Sequence, residues 1–334
     1  MKIAARRPFG QNYAWLVAAV TFLALLAAAG LRSAPGVLMT PLHDAFGWDR
    51  AALSAAAAIG IFLYGLVGPF AAALMQTLGL KRTLLAGLVL MSGSTALSLF
   101  MAAPWQYVLT WGVLSGLGSG AVALSMGATV VNRWFVTQRG LVMGLLSAST
   151  ATGSLIFLPG MAALAQSGGW QPVVITVSLA AAALIPLVFF LMPERPSDIG
   201  QAPYGGTEIE PAPPPGRPQD AVKLALGVLA RASKVPAFWL LFGTFFVCGF
   251  TTNGLIGTHL ISFCGDKGLV LMQAGLLLAA MGVFDIVGTT ASGWLTDRYD
   301  PRKLLFVYYS LRGLSLMALP FLEFDVVSLT IFAV

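Results

Sequence analysis

Three charged side chains lie inside long apolar stretches of this 334-residue chain: Arg32, Asp285 and Arg312. A charge at the centre of a bilayer costs at least about 2.5–3.5 kcal/mol unless it is paired or hydrated, so each marks a site or a structural pair. Arg32 stands just before Pro35-Gly36, residues expected to disturb a helix and turn freed backbone groups toward a cavity. Asp285 shares a helical stripe with Gly282, Gly288, Thr289 and Ser292. It reads either as a carboxylate that takes up and releases a proton or as the partner of Arg312 or Arg32. Asn253 and His259 add polar groups to the preceding stretch, where Thr252, Ile256, His259 and Phe263 share one face. Cys248 and Cys264 suggest neither a disulfide framework nor a metal motif, and the remaining loops offer no nucleophile. Gly116, Gly118 and Gly120 have the look of a nucleotide loop but follow no strand, so close helix packing accounts for them.

The elements that carry these residues are membrane-length helices. The chain is 57% hydrophobic and only 10% charged, against about 25% charged in ordinary soluble domains. Its apolar surface is too large for water to be the solvent. Apolar runs of spanning length occupy approximately 12–40, 51–76, 83–103, 105–132, 140–166, 171–192, 237–264, 269–296 and 304–322, and a tenth begins near 325. Arg6-Arg7-Pro8-Phe9 resembles a twin-arginine export signal, but the run behind it is too long for one, and the pair reads as an inner-side anchor. With the N-terminus inside, fifteen of the 19 Lys and Arg fall in inner segments and two in outer loops. That asymmetry sets the expected topology. It also argues against nucleic acid as the partner of the +6 net charge, because the positives sit in short loops and not on one soluble face.

Residues 193–218 hold eight of the 19 prolines and read as a solvated linker. Beyond it, Ala221 to Lys234 places Val222, Leu226 and Leu229 on one face, with Lys223, Arg231 and Lys234 elsewhere, as in a basic amphipathic helix on the inner membrane surface. The expected organisation is a six-helix half over 1–192, a linker over 193–236 and a second half over 237–334. An internal repeat agrees with it. Ala72 to Leu85 aligns with Gly293 to Phe306, with Lys81-Arg82 falling on Arg302-Lys303.

The second copy of that repeat is Gly293-Trp294-Leu295-Thr296-Asp297-Arg298-Tyr299-Asp300-Pro301-Arg302-Lys303. It resembles the signature of the major facilitator superfamily, G-x-x-x-D-R-x-x-x-R-[KR], found between the second and third helices of each half. The first copy departs from it, with Ala72, Gln76 and Thr77 in place of Gly, Asp and Arg. Trp134-Phe135, Arg139, Leu141 and Gly144, leading into the fifth helix, look like the monocarboxylate and oxalate–formate porter branch.

The resemblance implies an all-α membrane protein of that fold, with two six-helix halves, the second incomplete. The implied activity is alternating-access transport of a small organic anion, a monocarboxylate, with proton coupling, by a monomer in the bacterial inner membrane. It makes Arg32 the candidate for the substrate carboxylate and sets Asn253 and His259 beside the pathway. The branch has Arg four residues after its Asp in the eighth helix; here Thr289 stands there, and Asp285 with Arg312 becomes a proton-coupling site or charge pair. Because helix nine is peripheral in this superfamily, the structural pairing of Arg312 is favoured. Gly293, Asp297, Arg298, Arg302 and Lys303 are assigned to a cytoplasmic gate in which the cations pair with Asp297. A drug or amphiphile exporter and a non-transporting sensor are the alternatives; no cofactor is implied. A twelve-helix member would continue past Val334, so the chain is expected to be a fragment, poorly stable alone.

Overall fold

The computed structural model describes residues 13–209, 220–252, 271–321 and 328. Asn253, His259 and the tenth apolar run's start lie outside the described residues. Six long helices come first: α1 (Tyr13–Phe46), α2 (Arg50–Thr77), α3 (Leu80–Leu97), α4 (Pro104–Trp134), α5 (Arg139–Gly168) and α6 (Trp170–Leu191). A short surface helix, α7 (Asp220–Ala232), precedes α8 (Pro236–Gly249), α9 (Leu271–Thr296) and α10 (Pro301–Ala318). The seventh, eighth and ninth apolar runs are therefore α8, α9 and α10. Among the described residues six helices are long and apolar enough to cross a membrane, or seven if the bent pair α7–α8 counts as one span.

Within α1–α6 the apolar residues form one buried cluster that runs from Tyr13 to Met192. In the bundle α1 lies on α5 and α6, α2 on α4, and α3 on α4 and α6. Small residues set the spacing, since Gly116 faces Gly60 of α2 and Gly118 faces Gly87 of α3. The α4 run is not one regular helix. Val108–Leu114 is π-helical, and the chain kinks at Val122 before Leu124–Trp134, an irregularity often found at functional positions. At one end Phe46 stacks on Trp48 at 4.5 Å and tilts against Trp170 at 5.5 Å, closing that end with aromatic rings. The opposite end carries Lys81, Arg82, Arg133, Arg139, Arg195, Arg298, Arg302 and Lys303, and is called the basic end below.

Two expectations change. α1 runs through Pro35 and Pro41 as one 34-residue helix, so Pro35-Gly36 does not break it. The segment after α6 is not free linker from its start. Glu194 reaches back to α3, Pro196–Ile199 forms a 3₁₀ turn, and Tyr204 pairs with the backbone between α4 and α5. Tyr204 N–H donates to Trp134 O at 2.7 Å and Val136 N–H donates to Tyr204 O at 2.9 Å, while its ring sits 5.9 Å from Trp15 and 5.7 Å from Phe135. An aromatic anchor between two rings holds a polar segment that composition alone assigns to solvent.

Candidate functional site

The basic end of α5 is built to receive a carboxylate. The first amides of a helix have no acceptor within it. Gln138, the residue before α5, sits in the left-handed region at φ 59° and offers no side-chain cap. Asp297, the residue after α9, supplies the missing acceptor. Its carboxylate takes N–H bonds from Gly140 at 2.6 Å and Leu141 at 2.9 Å. A negative charge on two orphan amides at the positive end of a helix is a favourable arrangement.

The two helices meet there backbone to backbone. A methyl group on Gly140 would overlap the Gly293 carbonyl oxygen, and one on Gly144 would come within 2.6 Å of Thr289 O. Gly140 and Gly144 are spaced i, i+4 on α5, and Thr289 and Gly293 likewise on α9. Small residues at that spacing form a flat strip along which two helices cross closely. Glycine is required here for room and not for backbone conformation.

The expected cation partners of Asp297 are engaged elsewhere. Arg298 lies 3.8 Å from the centre of the Trp294 ring and donates to Trp294 O at 3.2 Å. Asp300, not Asp297, caps α10 by accepting from Arg302 N–H at 2.9 Å. Among the described residues no ion pair joins Asp297 to Arg298, Arg302 or Lys303; the one ion pair found is Arg133–Glu194.

That ion pair belongs to a second carboxylate-capped helix. Glu194 accepts from Leu80 N–H at 2.6 Å and Lys81 N–H at 2.9 Å at the start of α3. Gly79, at φ 103°, lets the carboxylate close over the turn, where a side chain would collide with it. Arg133 lies 3.6 Å from Glu194 and donates to Met75 O at 2.9 Å, tying α4 to the ends of α2 and α3. The first repeat copy thus uses Glu194, from after α6, at its basic turn. Sequence reasoning missed Glu194 and Arg133 as partners, because the contacts bridge 114 and 58 residues.

Beside the α5–α9 crossing lies a cavity of about 970 Å³, lined among others by Asn132, Ser147, Asp285, Thr289, Tyr308 and Arg312. Asp285 lies eleven residues before the end of α9 and Arg312 eleven after the start of α10. At 1.5 Å per residue both sit about 16 Å from the basic end, near half the hydrocarbon thickness. Arg312 donates to Thr252 Oγ1 at 2.5 Å and approaches Cys248 Sγ at 3.9 Å, both on the α8 side. Its Nε and the Tyr308 hydroxyl are buried with no hydrogen-bond partner among the described residues. The two charges front one cavity without direct contact, and Thr289 Oγ1 spends its proton on Asp285 O at 2.6 Å.

Arg32 is elsewhere. Its guanidinium lies 4.4 Å from the centre of the Tyr64 ring, a cation–π contact across α1 and α2. The void beside it measures about 20 Å³ and is lined by Trp111, Ser115 and Ser119 of the irregular α4. That holds about one water and no organic anion. In this structure Arg32 and the Asp285–Arg312 cavity are separate.

A bundle of apolar helices, a glycine-lined crossing capped by a carboxylate and charges at mid-depth define a polytopic helical membrane protein. The family model for the Major Facilitator Superfamily matches residues 21–334, and the chain belongs to that family. Its relatives include an uncharacterised MFS-type transporter, YcxA, of Bacillus subtilis, 26% identical over 91% of this chain and 71% of that protein. Monocarboxylate transporter 11 of Mus musculus is 28% identical over 93% and 66% respectively. The gallate transporter of Pseudomonas putida is 26% identical over 94% and 72%. The chain thus spans between 66% and 72% of these relatives' lengths. Among solved structures, the partially occluded inward-open xylose transporter XylE from E. coli superposes with a TM-score of 0.57 at 14% identity, covering 96% of this chain and 83% of that one. A double-tryptophan XylE variant gives 0.61 over 86% and 70%. At that identity the likeness shows the fold alone.

Proposed function

We propose that this protein carries a small organic anion, a monocarboxylate, across the bacterial inner membrane by alternating access, with a proton. Its basic end faces the cytoplasm, following the positive-inside asymmetry. Residues 1–192 and 237–334 act as the two moving bodies, and 193–236 connects them. The observation that carries the reading is the pairing of a cavity that runs from the basic end to Asp285 and Arg312 at mid-depth with a contact only two helices wide. In this structure α5 and α9 touch at Gly140, Gly144 and Gly293, so the two helices close on each other at the basic end beside the cavity. Opening requires Asp297 to leave the α5 amides; closing restores a charge-assisted cap, and the crossing behaves as a latch. Arg298, Arg302 and Lys303 keep the neighbouring turn basic and act on the gate through the field around Asp297 rather than by contact.

Asp285 is the proton-coupling carboxylate, since Arg312 is committed to Thr252 and stands by as a countercharge. Arg32 binds the substrate carboxylate when the opposite side opens and its Tyr64 contact parts; Asn253 and His259 of the seventh span are proposed to line the same route. Two relatives are named for organic acid anions, which supports the substrate class. Uptake of radiolabelled lactate, formate and oxalate in cells expressing the protein tests it. Arg32→Ala should lower uptake at least tenfold, from the loss of about 1.5–3 kcal/mol of charged hydrogen bonding. Unchanged uptake in that variant removes Arg32 from the site. Asp285→Asn should abolish stimulation by a pH gradient while leaving exchange of substrate intact.

A second reading has one observation in its favour. Met143, Met281 and Phe284 also line the cavity, which suits an amphiphilic drug. Drug-sensitivity profiles of an overexpressing strain separate the two.

A further inference from the structure

The surface helix α7 has two apolar faces, and among the described residues only one of them is covered. Ala221 and Ala225 are buried against Phe70, Ala73 and Leu74 of α2. At 100° per residue, Val222, Leu226 and Leu229 share the adjoining face, and Val222 and Leu226 are 55% and 53% exposed. Lys223 and Arg231 occupy the third face together with the exposed Asp220, and Lys234 follows in the turn. The axis of α7 meets that of α8 at 98°, so a helix that runs along the bundle is joined to one lying across its end. Two landmarks give its depth. Its anchor, Ala73, is one helical turn from the basic end of α2 at Thr77. Trp239, in the first turn of α8, is 55% exposed and donates its Nε1–H to Ser233 O at 2.8 Å. A tryptophan at a helix end with its polar edge satisfied is typical of the headgroup layer.

We propose that α7 is a docking element for anionic phospholipid in the leaflet at the basic end. Val222, Leu226 and Leu229 enter the acyl boundary, and Lys223, Arg231 and Lys234 meet the phosphates. The alternative, a soluble protein partner, fits less well, because the uncovered face lies at the depth of the membrane surface and its charges are net positive. The docked helix joins α2 to α8, so lipid held there braces the two across the bundle. This inference rests on the placement of the basic end and is independent of what is transported.

The test is hydrogen–deuterium exchange of residues 220–232 in the purified full chain, in nanodiscs of phosphatidylcholine alone or mixed with phosphatidylglycerol. Each basic residue near an anionic surface contributes roughly fivefold to its partition. With Asp220 offsetting one of the three, the net +2 should slow exchange of α7 about 25-fold in the mixed nanodiscs. High salt should reverse the slowing in the unaltered protein. The triple variant Lys223→Gln, Arg231→Gln, Lys234→Gln should show none, with exchange in α1–α6 unchanged. Equal exchange in both lipids, or slowing that survives salt and the triple variant, overturns the proposal. So does a Leu226→Cys crosslink between two copies, which would assign the face to a dimer.

Discussion

Replacing Asp297 with Asn should loosen the α5–α9 closure, and the two amides it holds report this directly. Gly140 and Leu141 are among the first amides of α5, where no intrahelical carbonyl is available, and Asp297 accepts from both. Hydrogen bonds to a charged group contribute about 1.5–3 kcal/mol each. Asp297 is exposed, so the low end applies, about 3 kcal/mol for the two. Asparagine keeps the shape and one carbonyl acceptor, a neutral bond of about 1 kcal/mol, and loses the attraction to the helix end. The net loss is about 2 kcal/mol, or roughly 30-fold in the open-to-closed ratio. Amide exchange over residues 138–146 should therefore accelerate roughly 30-fold in Asp297→Asn, with α1–α4 unaffected. A change under about threefold, in a protein whose remaining exchange is unaltered, would refute the assignment of Asp297 as the latch.

Other outcomes follow from the same contacts. Gly144→Leu pushes a side chain into Thr289 O, and overpacking of this kind costs about 1–3 kcal/mol; disulfide trapping between cysteines introduced on α5 and α9 near the crossing should fall at least fivefold. Glu194→Gln removes a charged cap from α3 and the ion pair of Arg133. It should cost about 1–3 kcal/mol and lower the thermal midpoint in detergent, where Arg82→Gln should not. Tyr204→Ala deletes the ring held between Trp15 and Phe135 and should speed proteolytic cleavage within 196–209 without altering the thermal midpoint of the bundle.

Much of the fold is legible in the sequence because lipid imposes a simple rule. Every spanning segment must satisfy its own backbone, so apolar runs of the right length become helices. The first six runs coincide with α1–α6 to within six residues at either end, and the segment read as 221–234 forms a surface helix over Asp220–Ala232. Asp297 could be singled out, since a charged turn between two apolar runs stands out against 10% charged residues overall. Its partner could not. Local reasoning offers Arg298, Arg302 and Lys303, all within six residues; the structure offers amides 157 and 156 residues away, which carry no side-chain signature. The linker shows the same limit. Eight prolines describe a solvated chain, and only the position of Trp15 and Phe135 shows why Tyr204 is held.

The sequence by itself determined that this is a many-helix membrane protein of the major facilitator superfamily, which helices carry charge, and which turn bears the signature. Those properties depend on hydrophobicity and spacing along one chain. Only the tertiary structure decided that Asp297 caps α5, that Glu194 stands at the matching place on α3, and that Asp285 and Arg312 share a cavity from which Arg32 is absent. These depend on where helix ends and faces meet. An orphan amide or a glycine strip acquires meaning only when another helix is laid against it.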